Sequence, residues 1–268
     1  MRGSVGEKVG EGALSDVHAW APGLVMKLFK PGVSRELGWH EARMTRAVFA
    51  AGLPAPEVHD VVNLDGRFGI VLNRFDGPTL LQLSRSGAMT RAETGAILAA
   101  LYRQVHQTPP PRDVLTLRVW MGHALRGESG RLVPPLIARA IVALIERLRP
   151  AEDGLCHGDL HPDNVIMTAE GPRLIDWSSA IRVPAAYDLA RCHIVLTELA
   201  PETVDDPGRP RAVKAATFAE YARLADTTPA ALSAAMEPWL PFAHAFVLLS
   251  GATGTLRERM IQRLEAAL

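Results

Sequence analysis

The stretch LCHGDLHPDNVIM, residues 155–167, constrains this chain more than any other part of the sequence. Eight consecutive positions within it hold two histidines, two aspartates and an asparagine, and apolar residues flank them on both sides. The next residues, VIMTAEGPRLIDW, indicate a β-hairpin closed at Glu170-Gly171-Pro172. Because the hairpin returns along itself, we expect Asp176, twelve residues after Asn164, to lie alongside the polar loop.

The residue types in this loop suit the transfer of a phosphoryl group to a hydroxyl. Such an enzyme needs a carboxylate beside the acceptor oxygen, oxygen ligands for Mg²⁺ and a cation on the nucleotide phosphates, because catalysis consists mostly of positioning and charge stabilisation. Asp159 and Asn164 can point into one cleft, the carboxylate toward an acceptor and the amide oxygen toward a metal. Asp176 would add a second oxygen ligand of the kind that Mg²⁺ prefers.

The distribution of patterns along the chain predicts two lobes. The first 75 residues hold short β-type runs at DVHAW, LVMKLF, EVHDVV and FGIVLNRF, and one helix that begins after Ser34 and ends near Gly52 interrupts them. After Gly77 helical patterns dominate, at 90–107, 134–149, 186–200 and 211–226 and near the end of the chain. We therefore predict an N-terminal lobe of residues 1–76 and a C-terminal lobe of residues 77–268.

Composition limits the kinds of partner and the compartment. The 268 residues are 48% hydrophobic and carry 29 basic against 29 acidic side chains without a basic run, so nucleic acid is not an expected partner. Only Cys156 and Cys192 are present, which suits a reducing cytoplasm. The start, MRGSVGEKVG, lacks the apolar core of a secretory signal, and PFAHAFVLLSGA is too short to span a bilayer. We expect a cytoplasmic location, no membrane and no particular protein partner.

HGDLHPDN followed by LIDWSSA resembles the paired signature of the aminoglycoside phosphotransferase and choline kinase-like family, small-molecule kinases with a protein-kinase-like fold. The family pattern is His-Gly-Asp, four residues, Asn, then Ile-Asp-Trp or Ile-Asp-Phe. The resemblance implies an α+β, two-lobed fold with a small β-rich N-lobe and a larger, mostly helical C-lobe, and it implies ATP and Mg²⁺ as cofactors. By this match Asp159 is the catalytic base, Asn164 and Asp176 are magnesium ligands, and His157 braces the loop.

Two further stretches match the family's nucleotide-binding features. GEGALSDV, residues 10–17, can form a glycine-rich turn between two strands, with Gly10, Gly12 and Ser15 beside the phosphates. Ser15 stands where protein kinases carry a third glycine. GIVLNRFDGPTL resembles the hinge between the lobes, where the backbone from Asn73 to Phe75 would offer adenine a carbonyl and an amide. Without the neighbouring motifs, a Gly-x-Gly is more often an ordinary turn, and GIVLNRFDGPTL reads about equally well as an edge strand that enters a turn.

A lysine and a glutamate complete the set that the resemblance implies. Lys27 lies in the apolar run LVMKLF, and a lone lysine there is most simply a solvated side chain. Glu41 follows on the predicted helix, where the family places the glutamate that pairs with this lysine. Glu36 is a less suitable partner, because the match around Glu41 extends over a longer segment. A Lys27–Glu41 ion pair would aim the ammonium at the α and β phosphates.

Differences from protein kinases favour a small acceptor. Only eleven positions separate Asp176 from Tyr187, which leaves no room for the long segment on which protein kinases present a peptide. Asp-Trp-Ser replaces Asp-Phe-Gly, so the glycine that would permit a backbone flip is absent. AAYDLARC resembles the family's next helix, in which Asp188 has a structural bonding role. We therefore predict a hydroxyl-bearing small molecule as the partner, with an aminoglycoside or another antibiotic among the candidates.

The sequence is also compatible with two other kinds of protein. His157, Asp159 and His161 alternate in a way that could bind zinc in a metallohydrolase, although the sequence offers no remote ligand cluster to complete that site. A nucleotide-binding pseudokinase that regulates without transferring phosphate would show the same motifs. A cationic acceptor would favour a carboxylate-rich pocket. Candidate carboxylates for that pocket are Glu198, Glu202, Asp205 and Asp206, which a solvated acidic loop explains equally well.

Overall fold

The computed structural model describes residues 5–148, 154–200 and 206–267. The chain divides into two compact units, which we name the first and the second unit. The first unit is Met1–Met89 with Pro162–Ser179, and the second is Thr90–His161 with Ala180–Leu268. A sheet in the first unit and mostly helices in the second confirm the predicted α+β class. The predicted functional lobes, divided after residue 76, stay a prediction.

The described secondary structure consists of strands and helices that we number in chain order. The strands are β1 (Lys8–Glu11), β2 (Ser15–Ala21), β3 (Leu24–Phe29), β4 (Val58–Leu64), β5 (Arg67–Asn73), β6 (Leu155–Cys156), β7 (Val165–Thr168), β8 (Gly171–Leu174) and β9 (Ile181–Arg182). The helices are α1 (Arg35–Ala50), α2 (Leu80–Ser86), α3 (Arg91–Gln107), α4 (Leu117–Arg126), α5 (Glu128–Arg131), α6 (Pro135–Arg147), α7 (Ala185–Ile194), α8 (Gly208–Leu224), α9 (Pro229–Met236), α10 (Leu240–Leu249) and α11 (Gly254–Glu265).

An antiparallel sheet in the order β1-β2-β3-β5-β4 forms the body of the first unit. The four predicted β-type runs coincide with β2 to β5. Asp65 and Gly66 join β4 to β5 with φ angles of 49° and 79°, the left-handed conformation that a two-residue hairpin turn requires. Lys27 is opposite Ile70 in the ladder and two residues before Phe29, so these three side chains share one face of the sheet. Phe29 and Ile70 belong to the core on that face.

Helix α1 packs against the face of the sheet that carries Lys27. It begins where predicted, because the Ser34 hydroxyl accepts a hydrogen bond from an amide of the first turn. Ala42 lies in the core with Phe68 of β5. Gly38 allows this close approach, since a Cβ there would lie 2.2 Å from the Phe68 ring. The buried face of α1 also includes Glu41, a charged side chain that therefore needs a partner within the unit.

The hairpin β7-β8 also belongs to the first unit, and its turn differs from the predicted one. Thr168 pairs with Gly171, so Ala169 and Glu170 form the turn and the predicted closure at residues 170–172 is wrong. Gly171 adopts a φ of 111°, and the Thr168 hydroxyl donates to the Gly171 carbonyl (2.8 Å), which closes the chain one residue earlier than expected. Pro172 is consequently a strand residue.

The hairpin is joined closely to the segment before α2. The Met167 amide donates to the Pro78 carbonyl (2.9 Å), and Thr79 forms a β-bridge with Ile166. Gly77 has a φ of 152°, and a Cβ at this position would lie only 2.0 Å from the Met167 carbonyl oxygen. Only glycine permits both this backbone conformation and this distance.

The second unit is mainly helical, with β6 and β9 paired as a short ribbon. The predicted helical segments coincide with α3, α6, α7, α8 and α11, and a π-helical turn at Val195–Leu199 continues α7. Helices α2, α4, α5, α9 and α10 were not predicted. Close packing of α3 on α8 depends on Gly95, because a Cβ there would lie 2.5 Å from the Ala216 methyl group.

Helices α9 and α10, with the turn between them, form one helical run of 21 residues, Pro229–Leu249. This run is long and apolar enough to cross a membrane by length and composition alone, so the prediction that residues 241–252 are too short considered only part of it. In the structure 56% of its most apolar window is buried against the rest of the protein. A core helix of a folded domain has the same properties, so the run is weak evidence for a membrane span.

Candidate active site

The glycine-rich stretch forms the predicted turn between β1 and β2. The Gly12 amide donates to the Ser15 carbonyl across the turn (2.7 Å), and Gly10 lies in β1. Gly12 is exposed, whereas the Ser15 side chain is buried in the sheet. If Ser15 contacts the nucleotide as predicted, it does so through its backbone, because its side chain is buried.

Lys27 lies between two carboxylates of the first unit. Its ammonium donates to Glu41 Oε1 at 2.5 Å and lies 3.4 Å from Asp176 Oδ2. The Glu41 side chain is only 5% exposed, while that of Asp176 is 38% exposed. The structure thus brings together the three charged residues that the sequence predicted for nucleotide and metal binding in this unit. Glu36 does not pair with Lys27; its carboxylate bonds instead to the Ser34 hydroxyl.

Burial shapes the electrostatics of this group. It raises the pKa of Glu41 to about 7, although the nearby Lys27 charge acts in the opposite direction. Burial would lower the pKa of Lys27, but the charges of Glu41 and Asp176 outweigh it and raise that pKa above its ordinary value. Lys27 is therefore a permanent cation, held on one side by a buried carboxyl and on the other by an accessible one.

Asp176 and Asn164 fit a hard divalent cation by their donor atoms, a carboxylate and an amide oxygen. The Ile175 amide donates to the Asn164 carbonyl (3.0 Å), so the end of β8 returns beside the loop, as predicted. The Ser178 hydroxyl donates to Asp176 Oδ1 (2.7 Å) and fixes the carboxylate. Asp176 has a φ of 60°, an uncommon conformation for a residue with a side chain, and such residues often lie at functional sites.

The hinge-like segment follows β5 directly. The Asn73 amide donates to the Glu57 carbonyl (3.2 Å) and the Arg74 amide to the Gly23 carbonyl (2.9 Å). Both amides are therefore used in hydrogen bonds within the first unit. Of the three amides from Asn73 to Phe75, this leaves that of Phe75 as the candidate donor to adenine. The Phe75 ring faces the guanidinium of Arg173 at 5.7 Å.

Asp159 belongs to the second unit and is surrounded by nitrogen donors. Arg191 Nη2 lies 3.3 Å from Oδ1, and His161 Nε2 lies 3.7 Å from Oδ2. His157 braces the loop as expected, because its Nδ1 accepts a hydrogen bond from the Asp159 amide (3.3 Å). Burial tends to raise the pKa of Asp159, but the hydrogen bond from His161 and the charges of His161 and Arg191 lower it to about 2. Asp159 is consequently an anion at neutral pH.

Asp188 of α7 holds the backbone just before Asp159. Its two carboxylate oxygens accept hydrogen bonds from the amides of His157 and Gly158, both at 2.9 Å, in a fully buried position. His106 of α3 lies 3.2 Å from the same carboxylate. These contacts confirm the structural bonding role of Asp188. His106 could not be identified from the sequence, since it lies 82 residues away and carries no motif.

Two other residues that hold the loop were also missed. Arg191 Nε donates to the Gly158 carbonyl (2.8 Å), and the Tyr102 hydroxyl donates to the Leu160 carbonyl (2.7 Å). Arg191 follows Asp188 by three positions and so lies on the same side of α7. This spacing was the one feature of the sequence that could have indicated its role.

The zinc interpretation receives no support from the described residues. Within residues 5–148, 154–200 and 206–267, the only three metal-ligating side chains with ligand atoms within 4.8 Å of one another are those of His106, Cys156 and Asp188. That group includes neither Asp159 nor His161. Its histidine and aspartate already serve as partners for tyrosine, backbone and one another.

The carboxylates suggested for a cationic acceptor are paired where the structure describes them. Glu198 contacts an imidazole of α10 at 3.2 Å and a guanidinium of α11 at 3.3 Å. Asp206 contacts a guanidinium of α3 at 2.9 Å. Glu202 and Asp205 lie outside the described residues.

Several solved structures share this fold. An aminoglycoside-3'-phosphotransferase of type VIII is 22% identical, with a TM-score of 0.56 over 100% of this chain and 93% of that one. Aminoglycoside phosphotransferase APH(3'')-Id from Streptomyces rimosus, solved with ADP and streptomycin, is 18% identical, with a TM-score of 0.58 over 88% and 91%. The amicoumacin kinase hAmiN, solved in complex with AMP-PNP, Ca²⁺ and Ami, is 13% identical, with a TM-score of 0.63 over 99% of this chain and 88% of that one.

These likenesses establish the protein-kinase-like fold that the sequence predicted. No curated protein sequence matches the chain. A family model does match it: residues 7–227, which are most of the chain, fit the phosphotransferase enzyme family, APH. The chain therefore belongs to the phosphotransferase enzyme family and, as predicted, is a small-molecule kinase.

Proposed function

We propose that this protein transfers the γ-phosphoryl group of ATP to a hydroxyl of a small molecule, with Mg²⁺ as the metal. The observation that carries the proposal is the arrangement of Lys27 between Glu41 and Asp176, at 2.5 and 3.4 Å. A cation fixed in this way beside an accessible carboxylate suits a nucleotide phosphate and its metal. Membership of the phosphotransferase family and the ADP and AMP-PNP in related structures support the same reaction.

In this proposal the first unit binds the nucleotide. Lys27 binds the α and β phosphates, and the backbone of the turn at Gly10, Gly12 and Ser15 lies over them. The segment from Asn73 to Phe75 receives adenine. Asn164 and Asp176 would hold Mg²⁺, which neutralises charge on the phosphates when it is bound.

Asp159 acts on the acceptor hydroxyl in this proposal. Its pKa of about 2 makes it a weak base, so it orients the acceptor hydroxyl before it accepts the proton. Such a late proton transfer suits phosphoryl transfer, whose transition state is loose and requires little early activation of the nucleophile. The products are ADP, the phosphorylated acceptor and one proton.

The experiment that tests the proposal measures Mg²⁺-dependent ADP release from ATP. The screen contains hydroxylated amines, sugars, amino alcohols and antibiotics, and the control is Asp159→Asn. We expect an acceptor to stimulate ADP release by the native protein. In the variant the stimulated rate should be at least about a hundredfold lower. Nucleotide binding in the variant should persist, because the substituted group serves the acceptor.

Two other outcomes have clear meanings. ATP binding without any acceptor-dependent ADP release would favour the pseudokinase alternative. Failure to bind ATP would contradict the proposal altogether. A thermal melt of Asp159→Asn must accompany both assays, since an unfolded variant would not test the role of the carboxylate. A cytoplasmic location remains part of the proposal.

A further inference from the structure

Arg191 occupies a position beside Asp159 that its known contacts do not fully explain. Its Nε donates to the Gly158 carbonyl (2.8 Å) and its Nη2 to Asp159 Oδ1 (3.3 Å), and its side chain is 7% exposed. The third nitrogen, Nη1, is buried and has no hydrogen-bond partner among the residues that the structure describes. Because Nη1 and Nη2 belong to one guanidinium, this donor lies next to the Asp159 carboxylate.

Tyr187 carries a second donor of the same kind, one turn earlier on α7. Its side chain is fully buried, and its hydroxyl has no partner within the described part of the chain. Both residues contact Phe246: the Arg191 guanidinium lies 4.8 Å from the centre of that ring, and the Tyr187 ring lies 6.3 Å from it. Two side chains with buried donors therefore pack against the same aromatic ring, and one of them, Arg191, also contacts Asp159.

Buried donors without acceptors are uncommon, because each one loses its hydrogen bonds to water and gains nothing in return. Most of the buried polar groups around this loop are satisfied, including those of Tyr102 and Asp188. Two donors on one face of α7 have no acceptor among the described residues, and one of them belongs to the side chain that contacts Asp159, which indicates that a further oxygen atom, such as one of a bound acceptor, completes them.

The surrounding charges favour an uncharged ligand. The Arg191 cation offsets the charge of the Asp159 carboxylate 3.3 Å away, so the pair has no net charge with which to attract an ammonium group. Glu198 is engaged by His244 and Arg263, at 3.2 and 3.3 Å, so it offers a cationic acceptor little attraction. Asp206 is likewise engaged by arginines of α3 and α8.

Aromatic side chains extend the same region. The Trp239 indole, which is partly exposed, lies 6.3 Å from the Tyr187 ring, and Trp120 stacks on Phe246 at 4.0 Å. Flat rings of this kind contact the apolar face of a bound ring without requiring a charge.

We propose that Arg191 and Tyr187 bind an oxygen of the acceptor adjacent to the hydroxyl that is phosphorylated, and that the acceptor is an uncharged polyhydroxylated molecule such as a sugar or a cyclic polyol. The inference rests on the proposed function and specifies its acceptor. Arg191 and Tyr187 determine specificity in this reaction, while Asp159 faces the reacting hydroxyl.

The test compares the native protein with Tyr187→Phe, which removes only the hydroxyl. The probes are D-glucose, myo-inositol and glycerol as neutral compounds, and kanamycin and spermidine as polycations, with ADP release as the readout. A neutral compound should stimulate ADP release, and Tyr187→Phe should raise its KM about tenfold, the effect of one lost hydrogen bond. The KM for ATP should change far less. The melting temperature should not fall, because the hydroxyl has no hydrogen-bond partner among the described residues.

Tyr221→Phe is a matched control. Tyr221 is also buried, but its hydroxyl is hydrogen-bonded to His106 Nδ1 at 2.8 Å. Its removal should lower the melting temperature by several degrees and leave the acceptor KM within about twofold. Arg191→Lys gives a second test, since it keeps the charge but loses the fork, and it should reduce kcat/KM for the acceptor more than Tyr187→Phe does.

Three results would overturn the inference. An unchanged acceptor KM in Tyr187→Phe would do so, and so would a fall in melting temperature as large as that of Tyr221→Phe, because the hydroxyl would then have a structural role. Stimulation by the polycations alone, or by none of the neutral probes, would exclude the acceptor class. Retained ATP binding and turnover of any other acceptor would show that phosphoryl transfer itself still stands.

Discussion

Glu41 is a carboxyl group in an environment very different from that of an ordinary surface carboxylate. It lies on the buried face of α1, and its only charged neighbours are Lys27 and Asp176 among the described residues. Burial raises its pKa from 4.5 to about 7, so the folded protein holds this proton more tightly than the unfolded chain does. The contribution of Glu41 to stability is therefore complete below pH 4.5 and is lost as pH rises through about 7.

The prediction that follows concerns Glu41→Gln. A rise from 4.5 to about 7 corresponds to about 3 kcal/mol, so the unfolding free energy of the native protein should fall by about 2 to 3 kcal/mol more than that of the variant between pH 5 and pH 8. Urea unfolding at the two pH values measures this difference. Glu36→Gln, on the exposed side of the same helix, should not reproduce it. Equal pH dependence in the native protein and Glu41→Gln would contradict the assignment.

Asp176 permits a similarly selective substitution. It adopts a φ of 60°, a conformation that asparagine tolerates better than most residues, so Asp176→Asn should preserve the backbone. The lost negative charge should weaken Mg²⁺-dependent ATP binding about tenfold or more, which titration calorimetry with and without Mg²⁺ measures. Asp163→Asn is the control, because that carboxylate bonds to the Thr79 hydroxyl (3.1 Å) and has no proposed metal. Undiminished Mg²⁺ dependence in Asp176→Asn would exclude the proposed ligand.

At the residue scale, the sequence predicts best where position in a motif determines chemistry. The pairing of Lys27 with Glu41 followed from a resemblance and is present at 2.5 Å. Arg191 could not be predicted in the same way, because a single arginine in a helical pattern has no recognisable role until the fold brings it to Gly158 and Asp159. The buried Tyr187 hydroxyl is equally invisible in the sequence, since its significance lies in the absence of a described partner.

At the scale of elements, the predictions succeeded where one face of an element is polar. β3 alternates between buried and half-buried positions over most of its length, and α1 has one buried face and one exposed face, so their patterns are readable. α10 is buried at every position from Phe242 to Leu249, so it shows no helical periodicity. The turn between β7 and β8 was misplaced by one residue, because glycine and proline suggest a turn without specifying which residue begins the returning strand.

Gly77 tests how closely the hairpin is packed against the segment before α2. In Gly77→Ala the new Cβ would lie 2.0 Å from the Met167 carbonyl oxygen, and a φ of 152° is unfavourable for alanine. We expect a loss of about 3 kcal/mol in unfolding free energy by urea titration. Gly66→Ala is the matched control, with a φ of 79° but nothing within 4 Å, and it should cost only about 1 kcal/mol. Equal losses would mean that backbone conformation alone explains both.

At the scale of the whole molecule, charge and hydropathy limit the surroundings in which the protein works. The formal net charge is zero and the sequence pI is about 7.1, so long-range attraction to a polyanion is weak. The resemblance to kinases of small molecules is consistent with this balance. The helical run Pro229–Leu249 is the one described feature that raises a different possibility, an association with a membrane.

A charge placed at an exposed position and at a buried position of this run can distinguish a core element from a membrane-associated one. Ala234 is exposed on α9, whereas Ala243 is fully buried in α10. If the run is a core element of the second unit, Ala234→Lys should change the unfolding free energy by no more than about 0.5 kcal/mol, while Ala243→Lys should lower it by about 3 kcal/mol or prevent folding. Both proteins are assayed by melting and by ultracentrifugation of lysates. Native protein and Ala234→Lys should remain in the supernatant, because α10, the most apolar part of the run, is buried in its own unit. Native protein that pellets and is released only by detergent would contradict this expectation and require a membrane partner for the run.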